Sequence, residues 1–355
     1  MKKHNFNPGP AILPAEVIRE AGEGVLDLSH SGLSVLEISH RSQAFSDIME
    51  RGVMLVKELM GLSDDHHVLF LSGGASSQFF MVPMNLLNGR KAYYLDTGSW
   101  ASKAIKEAKL FGQVEVLASS KDQGYTSIPK SITIPDDGVY LHLTSNNTIF
   151  GTQYHQWPES NIPLVCDMSS DLLSRPVPVE NFGIIYGGAQ KNLGPSGTTL
   201  VIIRKDMLAQ VKTQLPSMLD YRTHVSKNSL YNTPPVFPIY VSMLTLQWLK
   251  QNGGLSAAET RNKRKADILY QEIDRNSMFR GIAEVEDRSV MNVTFRLINP
   301  ELEPRFLEFA QEAGCVGLKG HRSVGGLRAS LYNALPEESV SVLVEIMKRF
   351  QEKYG

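Results

Sequence analysis

Two residues at the ends of neighbouring apolar runs carry the most chemistry. Asp167 closes the run Pro163–Asp167, and Lys191 follows the run Gly183–Gly187 inside Gly187-Gly188-Ala189-Gln190-Lys191-Asn192-Leu193-Gly194-Pro195-Ser196-Gly197. In a parallel sheet the carboxyl ends of the strands open on one crevice, so the acid and the amine are expected to meet there. A buried acid opposite a lysine is the pair that a pyridoxal phosphate enzyme requires, the acid on the pyridine nitrogen and the amine forming the Schiff base. The same two residues would serve equally as an ion pair at a sheet edge. The glycines around Lys191 weigh against that plainer reading.

Three further segments add to the pair. Leu71-Ser72-Gly73-Gly74-Ala75-Ser76-Ser77-Gln78 runs from a strand pattern through a Gly-rich turn into a helix, where backbone N–H groups can cradle a phosphate. It has no P-loop lysine and does not match GxGxxG, so nucleotide binding has little support. Trp100 follows Asp96-Thr97-Gly98-Ser99, where its ring would stack on a flat cofactor or belong to the core. Lys319-Gly320-His321-Arg322-Ser323-Val324-Gly325-Gly326-Leu327-Arg328 gathers cations in a glycine-rich stretch, as anion recognition would require. His40-Arg41, just before a helix, is similar in kind.

The elements that must position these residues are those of an α/β protein. Seven short runs read as strands: His67–Leu71, Lys91–Asp96, Val114–Leu117, Val139–Thr144, Pro163–Asp167, Gly183–Gly187 and Thr199–Arg204. Helical patterns at Ser46–Met60, Ser77–Leu87 and Trp100–Phe111 fit crossovers around a mostly parallel sheet. Val236–Leu249 follows the turn Tyr231-Asn232-Thr233-Pro234-Pro235, and a long charged helix at Ser256–Asp274 is expected to contain the domain boundary. Beyond it, Val290–Leu297 alternates, Met291, Val293, Phe295 and Leu297 on one face and Asn292, Thr294 and Arg296 on the other, which predicts a strand with one wet face. Helices at Pro304–Ala313 and Pro336–Lys353 flank a strand near Leu327–Tyr332. The organisation expected is an N-terminal segment, 1–15, a large domain, 16–260, and a small α+β domain, 261–355.

Composition limits the partners. The 355 residues are 42% apolar and 21% charged with a net charge of −1, the balance of a folded globular chain. No basic stretch interleaved with aromatics offers a nucleic-acid surface. No run of 18 apolar residues would span a bilayer, and the opening MKKHNFNPGPAILP lacks the apolar core of a secretory signal. The only two cysteines, Cys166 and Cys315, suit a reducing compartment. A cytoplasmic location is expected.

The chain resembles the phosphoserine aminotransferase family over nearly its whole length. The resemblance is carried by NFNPGPAILP at the start, ISHRS at Ile38–Ser42, AQKNLGPSG at Ala189–Gly197, YNTPP at Tyr231–Pro235 and KGHRSVGGLRAS at Lys319–Ser330. It implies a fold-type I pyridoxal 5'-phosphate enzyme of the class V aminotransferase group, working as a homodimer with shared active sites. Its reaction would move the amino group between L-glutamate and 3-phosphohydroxypyruvate, giving O-phospho-L-serine and 2-oxoglutarate. A second substrate, 4-phosphohydroxy-L-threonine of pyridoxine synthesis, is left open.

Carried over residue by residue, the resemblance implies that Lys191 bears the cofactor, Asp167 pairs with the pyridine nitrogen and Trp100 stacks on the ring. Thr148 would bond near the 3-hydroxyl, and Ala75, Ser76 and Gln190 would bind the phosphate, joined by Asn232 and Thr233 of a partner subunit. Arg328 would hold the substrate α-carboxylate, with His40, Arg41, His321 and Arg322 around the distal anion. Many bacterial members carry Arg directly after the Gly-rich turn, where this chain has Ser76, so the chain departs from the family at one contact to the substrate phosphate. No metal is implied. Two rivals remain. A cysteine desulfurase-like lyase needs a nucleophilic thiol, whereas Cys166 points away from Asp167 along its strand and Cys315 reads as a buried helix-end thiol. An inactive binding protein of this fold would not need to keep both Lys191 and Asp167.

Overall fold

Seven strands, most of them apolar nearly end to end, form one twisted sheet in the computed structural model, which describes residues 2–355. They are β1 (His66–Ser72), β2 (Lys91–Asp96), β3 (Gln113–Ser119), β4 (Leu141–Thr144), β5 (Leu164–Asp167), β6 (Phe182–Gly188) and β7 (Thr198–Arg204). Their order across the sheet is β1-β7-β6-β5-β4-β2-β3, and only β7 runs against its neighbours. The expected mostly parallel sheet is therefore present, with all seven expected strands in it. Continuous apolar runs arise because both faces of most strands are covered. Val68, Phe70, Leu141, Leu143 and Cys166 pack on one side with α1 (Ala15–Leu26), α2 (Gln43–Met60) and α5 (Val236–Gln251). Leu69, Leu71, Val165, Ile184 and Tyr186 pack on the other with α3 (Gln78–Leu86) and α4 (Ser99–Ala108). Ser42 caps α2 by accepting from the Phe45 amide, and Gly61, at φ +65°, ends it in the left-handed region that favours glycine.

A second sheet holds β8 (Phe279–Gly281), β9 (Asn292–Leu297) and β10 (Leu327–Ser330) in that order, antiparallel. It is covered by α6 (Gly254–Arg275), α7 (Glu303–Glu312) and α8 (Glu337–Tyr354), around Leu269, Phe295, Phe306 and Phe350. Helix α6 enters both cores: Leu255 and Ala258 belong to the first, Ala266, Leu269 and Ile273 to the second.

Two expectations need correction here. The face of β9 expected to be wet is largely dry, because Asn292 and Thr294 are buried against the large sheet's loops. Thr294 Oγ1 donates to the Phe150 carbonyl, and Asn146 Nδ2 donates to Asn292 Oδ1 at 2.7 Å. Polar side chains alternating along a strand can thus mark an interface, with hydrogen bonds in place of water. Cys315 lies in a two-residue strand, not at a helix end: Cys315–Val316 pairs in parallel with His4–Asn5. Phe6 then enters the second core, so the N-terminal segment crosses from the small sheet toward the lysine turn. No helix among the described residues is long and apolar enough to cross a membrane.

Candidate active site

The carboxyl ends of β1, β4, β5 and β6 open on a cavity of about 290 Å³. Nine of the residues singled out in the sequence line it: Ala75, Ser76, Trp100, Thr148, Asp167, Gln190, Lys191, His321 and Arg328. Asp167 is the last residue of β5, in register with Thr144 of β4 and Tyr186 of β6. Its Oδ1 accepts from the Ser169 amide at 2.9 Å. The turn that makes this bond passes close over β6, where Gly187 is needed: a Cβ there would lie 2.9 Å from Leu172 Cδ2 and 3.2 Å from Ser169 Cα. Burial raises the Asp167 carboxyl above the usual range, while the Ser169 contacts and Lys191 pull it back toward ionisation.

Lys191 stands in the turn between β6 and β7, which Ala189 closes by donating to the Thr198 carbonyl at 3.0 Å. Its Nζ donates to Thr148 Oγ1 at 3.0 Å. Burial pushes the ammonium down to about 8, against the pull of Asp167 and with the help of Arg328. An amine that titrates near neutrality serves as nucleophile and base. The N-terminal segment packs beside it, since Pro8 and Gly9 line the cavity and the Ala11 amide donates to the Gln190 carbonyl at 2.9 Å.

The small sheet supplies the opposite wall. Arg328, on β10, is 6% exposed and donates from Nη1 to the Thr148 carbonyl at 3.0 Å. Behind it runs a buried polar chain that sequence reasoning missed. Asn146 Nδ2 donates to Ser170 Oγ and Asn292 Oδ1, Asn292 Nδ2 donates to Tyr332 Oη, and Tyr332 Oη donates to the Pro8 carbonyl. Asn146, Ser170 and Pro8 all line the cavity, as do Thr144, Ser169 and Phe79. The only sequence signal for this chain was the polar face of Asn292 and Thr294.

Five expected site residues lie away from the cavity of their own chain. Arg322 is exposed in the loop before β10, His40 and Arg41 precede α2, and Asn232 and Thr233 precede α5. Cys166 is fully buried in the core beyond β5, and burial holds its thiol well above the ordinary value. Burial likewise pushes the Cys315 thiol up to about 11. Neither is poised as a thiolate nucleophile.

The lining suits pyridoxal phosphate. Thr144 Oγ1, Trp100 Nε1 and Arg328 Nε are buried polar atoms without a partner in the protein, and such atoms call for a ligand. The turn at Gly74–Ser77 leaves the amides of Ala75 and Ser76 without an acceptor, as a phosphate cradle requires. An amine, a carboxylate, a flat indole and a guanidinium around one cavity match the donor set of such a group. No cluster of residues able to hold a metal occurs among the described residues.

Residues 3–343 match the aminotransferase class-V family. A phosphoserine aminotransferase of Flavobacterium psychrophilum is 58% identical, over 99% of this chain and 100% of its own. The solved phosphoserine aminotransferase from Bacillus circulans subsp. alkalophilus superposes with a TM-score of 0.97 at 48% identity, over 100% of this chain and 99% of that one. A pyridoxal phosphate-bound phosphoserine aminotransferase from Trichomonas vaginalis superposes with a TM-score of 0.93 at 37% identity, covering 98% of this chain and 100% of its own. A likeness of this extent, together with a cavity built around Lys191 and Asp167, places the chain in the class-V aminotransferase family, among its phosphoserine aminotransferases.

Proposed function

We propose that the protein transfers the amino group reversibly between L-glutamate and 3-phosphohydroxypyruvate, forming O-phospho-L-serine and 2-oxoglutarate, with pyridoxal 5'-phosphate as cofactor. The observation that carries this reading is the shared cavity of Lys191, Asp167, Trp100 and Arg328. The cofactor, when bound, supplies a protonated ring that accepts the electrons left on the substrate α-carbon.

The chain's own residues do the rest. Asp167 holds the proton on the ring nitrogen, with Ser169 fixing the carboxylate through its amide. Lys191 Nζ would carry the proton between the substrate α-carbon and the aldehyde carbon of the bound cofactor, and Thr148 Oγ1 orients that amine. Arg328 pairs with the α-carboxylate, held by the Thr148 carbonyl. Trp100 covers one face of the ring, while Gln190 and the amides of Ala75 and Ser76 take the cofactor phosphate. The distal end must accept a phosphate in one half-reaction and a carboxylate in the other, which suits several separate cations better than one rigid clamp.

The same reading assigns the five residues outside the cavity. Asn232, Thr233, His40 and Arg41 would reach the site of a second copy in a two-fold dimer, and Arg322 would close over bound anion. The domain boundary falls near residue 260 within α6, where the helix passes from one core to the other. Two free buried thiols fit a cytoplasmic location.

The decisive experiment adds glutamate and then phosphohydroxypyruvate to the holoenzyme. The cofactor absorbance should move with the first and return with the second, with O-phosphoserine found in the product. A spectrum that responds to neither refutes the reading. For the dimer, Lys191→Ala and Arg41→Ala proteins are co-expressed to form mixed dimers. If Arg41 acts across the interface, one site of each mixed dimer is intact and activity returns. Verified mixed dimers as inactive as their parents would eliminate the trans assignment.

A further inference from the structure

The turn that offers its amides to the cofactor phosphate is held by side chains that stay outside the cavity. Gly74, Ala75 and Ser76 line the cavity, whereas Gln78 and Tyr221 do not. Ser77 closes the turn, its amide and its hydroxyl both donating to the Gly74 carbonyl, at 3.0 and 2.9 Å. With that carbonyl engaged by Ser77, the amides of Ala75 and Ser76 stay free for an anion.

A chain of donors reaches this point from the core. Tyr221 Oη donates to Gln78 Oε1 at 2.6 Å, Gln78 Nε2 donates to Ser77 Oγ at 3.1 Å, and Ser77 Oγ donates to the Gly74 carbonyl. Every bond points the same way, the arrangement in which hydrogen bonds polarise and strengthen one another. Asn85 of α3 fixes the origin of the chain. Its Oδ1 accepts from the Tyr221 amide at 3.1 Å, and its Nδ2 donates to the Leu219 carbonyl at 2.7 Å. Packing alone does not call for these polar groups. Tyr221 is fully buried in the apolar cluster of Leu69, Leu71, Phe79 and Met207, where a Phe ring would fill the same space, and Gln78 is 1% exposed. Burying a hydroxyl and an amide carries a desolvation cost that their hydrogen bonds do little more than offset. What the bonds add is position, handed from Tyr221 to the carbonyl beside the two free amides.

We propose that Tyr221 is a positioning residue of the cofactor site, holding the phosphate turn in shape through Gln78 and Ser77 without touching the phosphate. This rests on the assignment of the Ala75 and Ser76 amides to the cofactor phosphate. Because the chain ends on that turn, breaking it weakens the grip on the phosphate and leaves the groups that meet the ring, Lys191, Asp167 and Trp100, as they are.

The test uses two variants. Tyr221→Phe keeps the ring and removes only the donor, and Ser77→Ala cuts the same chain at a half-buried position that leaves the core untouched. Full-length holoenzyme is stripped of cofactor and titrated, by absorbance, with pyridoxal phosphate or with pyridoxal, which has the ring and the aldehyde but no phosphate. Each variant should raise the Kd for pyridoxal phosphate about three- to tenfold, the range of one lost hydrogen bond, and leave the Kd for pyridoxal within about twofold. The double variant should lose no more than the larger single loss, since both substitutions break one chain. Equal weakening of the two ligands would make Tyr221 a packing residue. That result, an unchanged Kd for pyridoxal phosphate, or losses that add in the double variant would each overturn the proposal while leaving the phosphate turn assigned. Wild-type protein that binds the two ligands equally well would overturn that assignment as well.

Discussion

Thr148 joins Lys191 to the substrate anchor: its Oγ1 accepts from Lys191 Nζ at 3.0 Å, and its carbonyl accepts from Arg328 Nη1 at 3.0 Å. One residue in the turn after β4 therefore spaces the base from the guanidinium that would hold the α-carboxylate. Replacing Thr148 by Val keeps the shape and the carbonyl but removes the acceptor for the amine. The expected outcome is a kcat about five- to thirtyfold lower with little change in KM, since a misplaced base costs the proton transfer more than binding. A kcat within twofold of wild type would show that Oγ1 does not orient Lys191.

The Lys191 amine titrates near 8, far below an ordinary lysine. Only its unprotonated form captures an aldehyde. In apoprotein, capture of pyridoxal phosphate at this site should rise with pH up to about 8 and then level off, measured by absorbance and by mass after reduction. Lys191→Ala should show no adduct at the site. The sign for stability follows from the same shift. Between about 8 and the ordinary 10.5 the unfolded chain binds the extra proton, so the contribution of Lys191 to apoprotein stability rises with pH across that window. Urea midpoints of apoprotein and of Lys191→Met should converge there.

Asp167 has the opposite linkage. Burial raises its carboxyl, so the apoprotein bears a cost for the ionised form that is present at neutral pH and relieved as pH falls through the raised value. Asp167→Asn apoprotein should then unfold at higher temperature than wild type at pH 7, with the difference shrinking in acid. The same variant should slow transamination by about 10²–10⁴, the range for loss of a group that controls a proton in the transition state. A fast Asn variant would reduce Asp167 to a structural acid.

How much of this was legible in the chain depends on what burial leaves in a sequence. The central strands stood out because residues covered on both faces leave unbroken apolar runs, the exposed edge strand Gln113–Ser119 only by its β-branched residues, and Asp167 and Lys191 stood out because they follow those runs at strand ends. The face of β9 misled: a period of two separates polar from apolar residues but does not tell water from Asn146 as the partner of Asn292. Pro8 and Gly9 showed no chemistry of their own, and only the pairing of His4–Asn5 with Cys315–Val316 carries them to the lysine. His40, Arg41, Asn232 and Thr233 were reached through resemblance alone, since the folding of one chain does not bring them to its own cavity.

Cys166 and Cys315 separate the transaminase from a thiol-dependent lyase. Both are buried, and burial raises both thiols, so neither forms a thiolate at neutral pH. Replacing both by Ala should leave transamination within about threefold of wild type, with a stability loss of about 1–3 kcal/mol from the small cavities. Complete loss of turnover in a folded double variant would bring the lyase chemistry back.

Lys265 is the charged residue that no pattern flagged. It lies on α6, 2% exposed, and its three ammonium protons go to the carbonyls of Leu331, Tyr332 and Leu335 at 2.7, 2.8 and 3.2 Å. An ammonium has three donors, and all are used. The turn they hold follows directly on β10, which carries Arg328. It also places Asn333, whose amide donates to Asn192 Oδ1 beside Lys191, and whose Nδ2 donates to the Leu173 carbonyl. Lys265→Met fills the space but leaves three buried carbonyls bare, at about 1–3 kcal/mol each before relaxation. The loss expected is about 3–5 kcal/mol, read as a lower urea midpoint at constant slope. Lys265→Arg should not rescue it, because a planar guanidinium cannot reach three carbonyls that converge on a point charge. A midpoint unchanged in the Met variant would mean that the turn holds its shape, and with it Arg328, without the lysine.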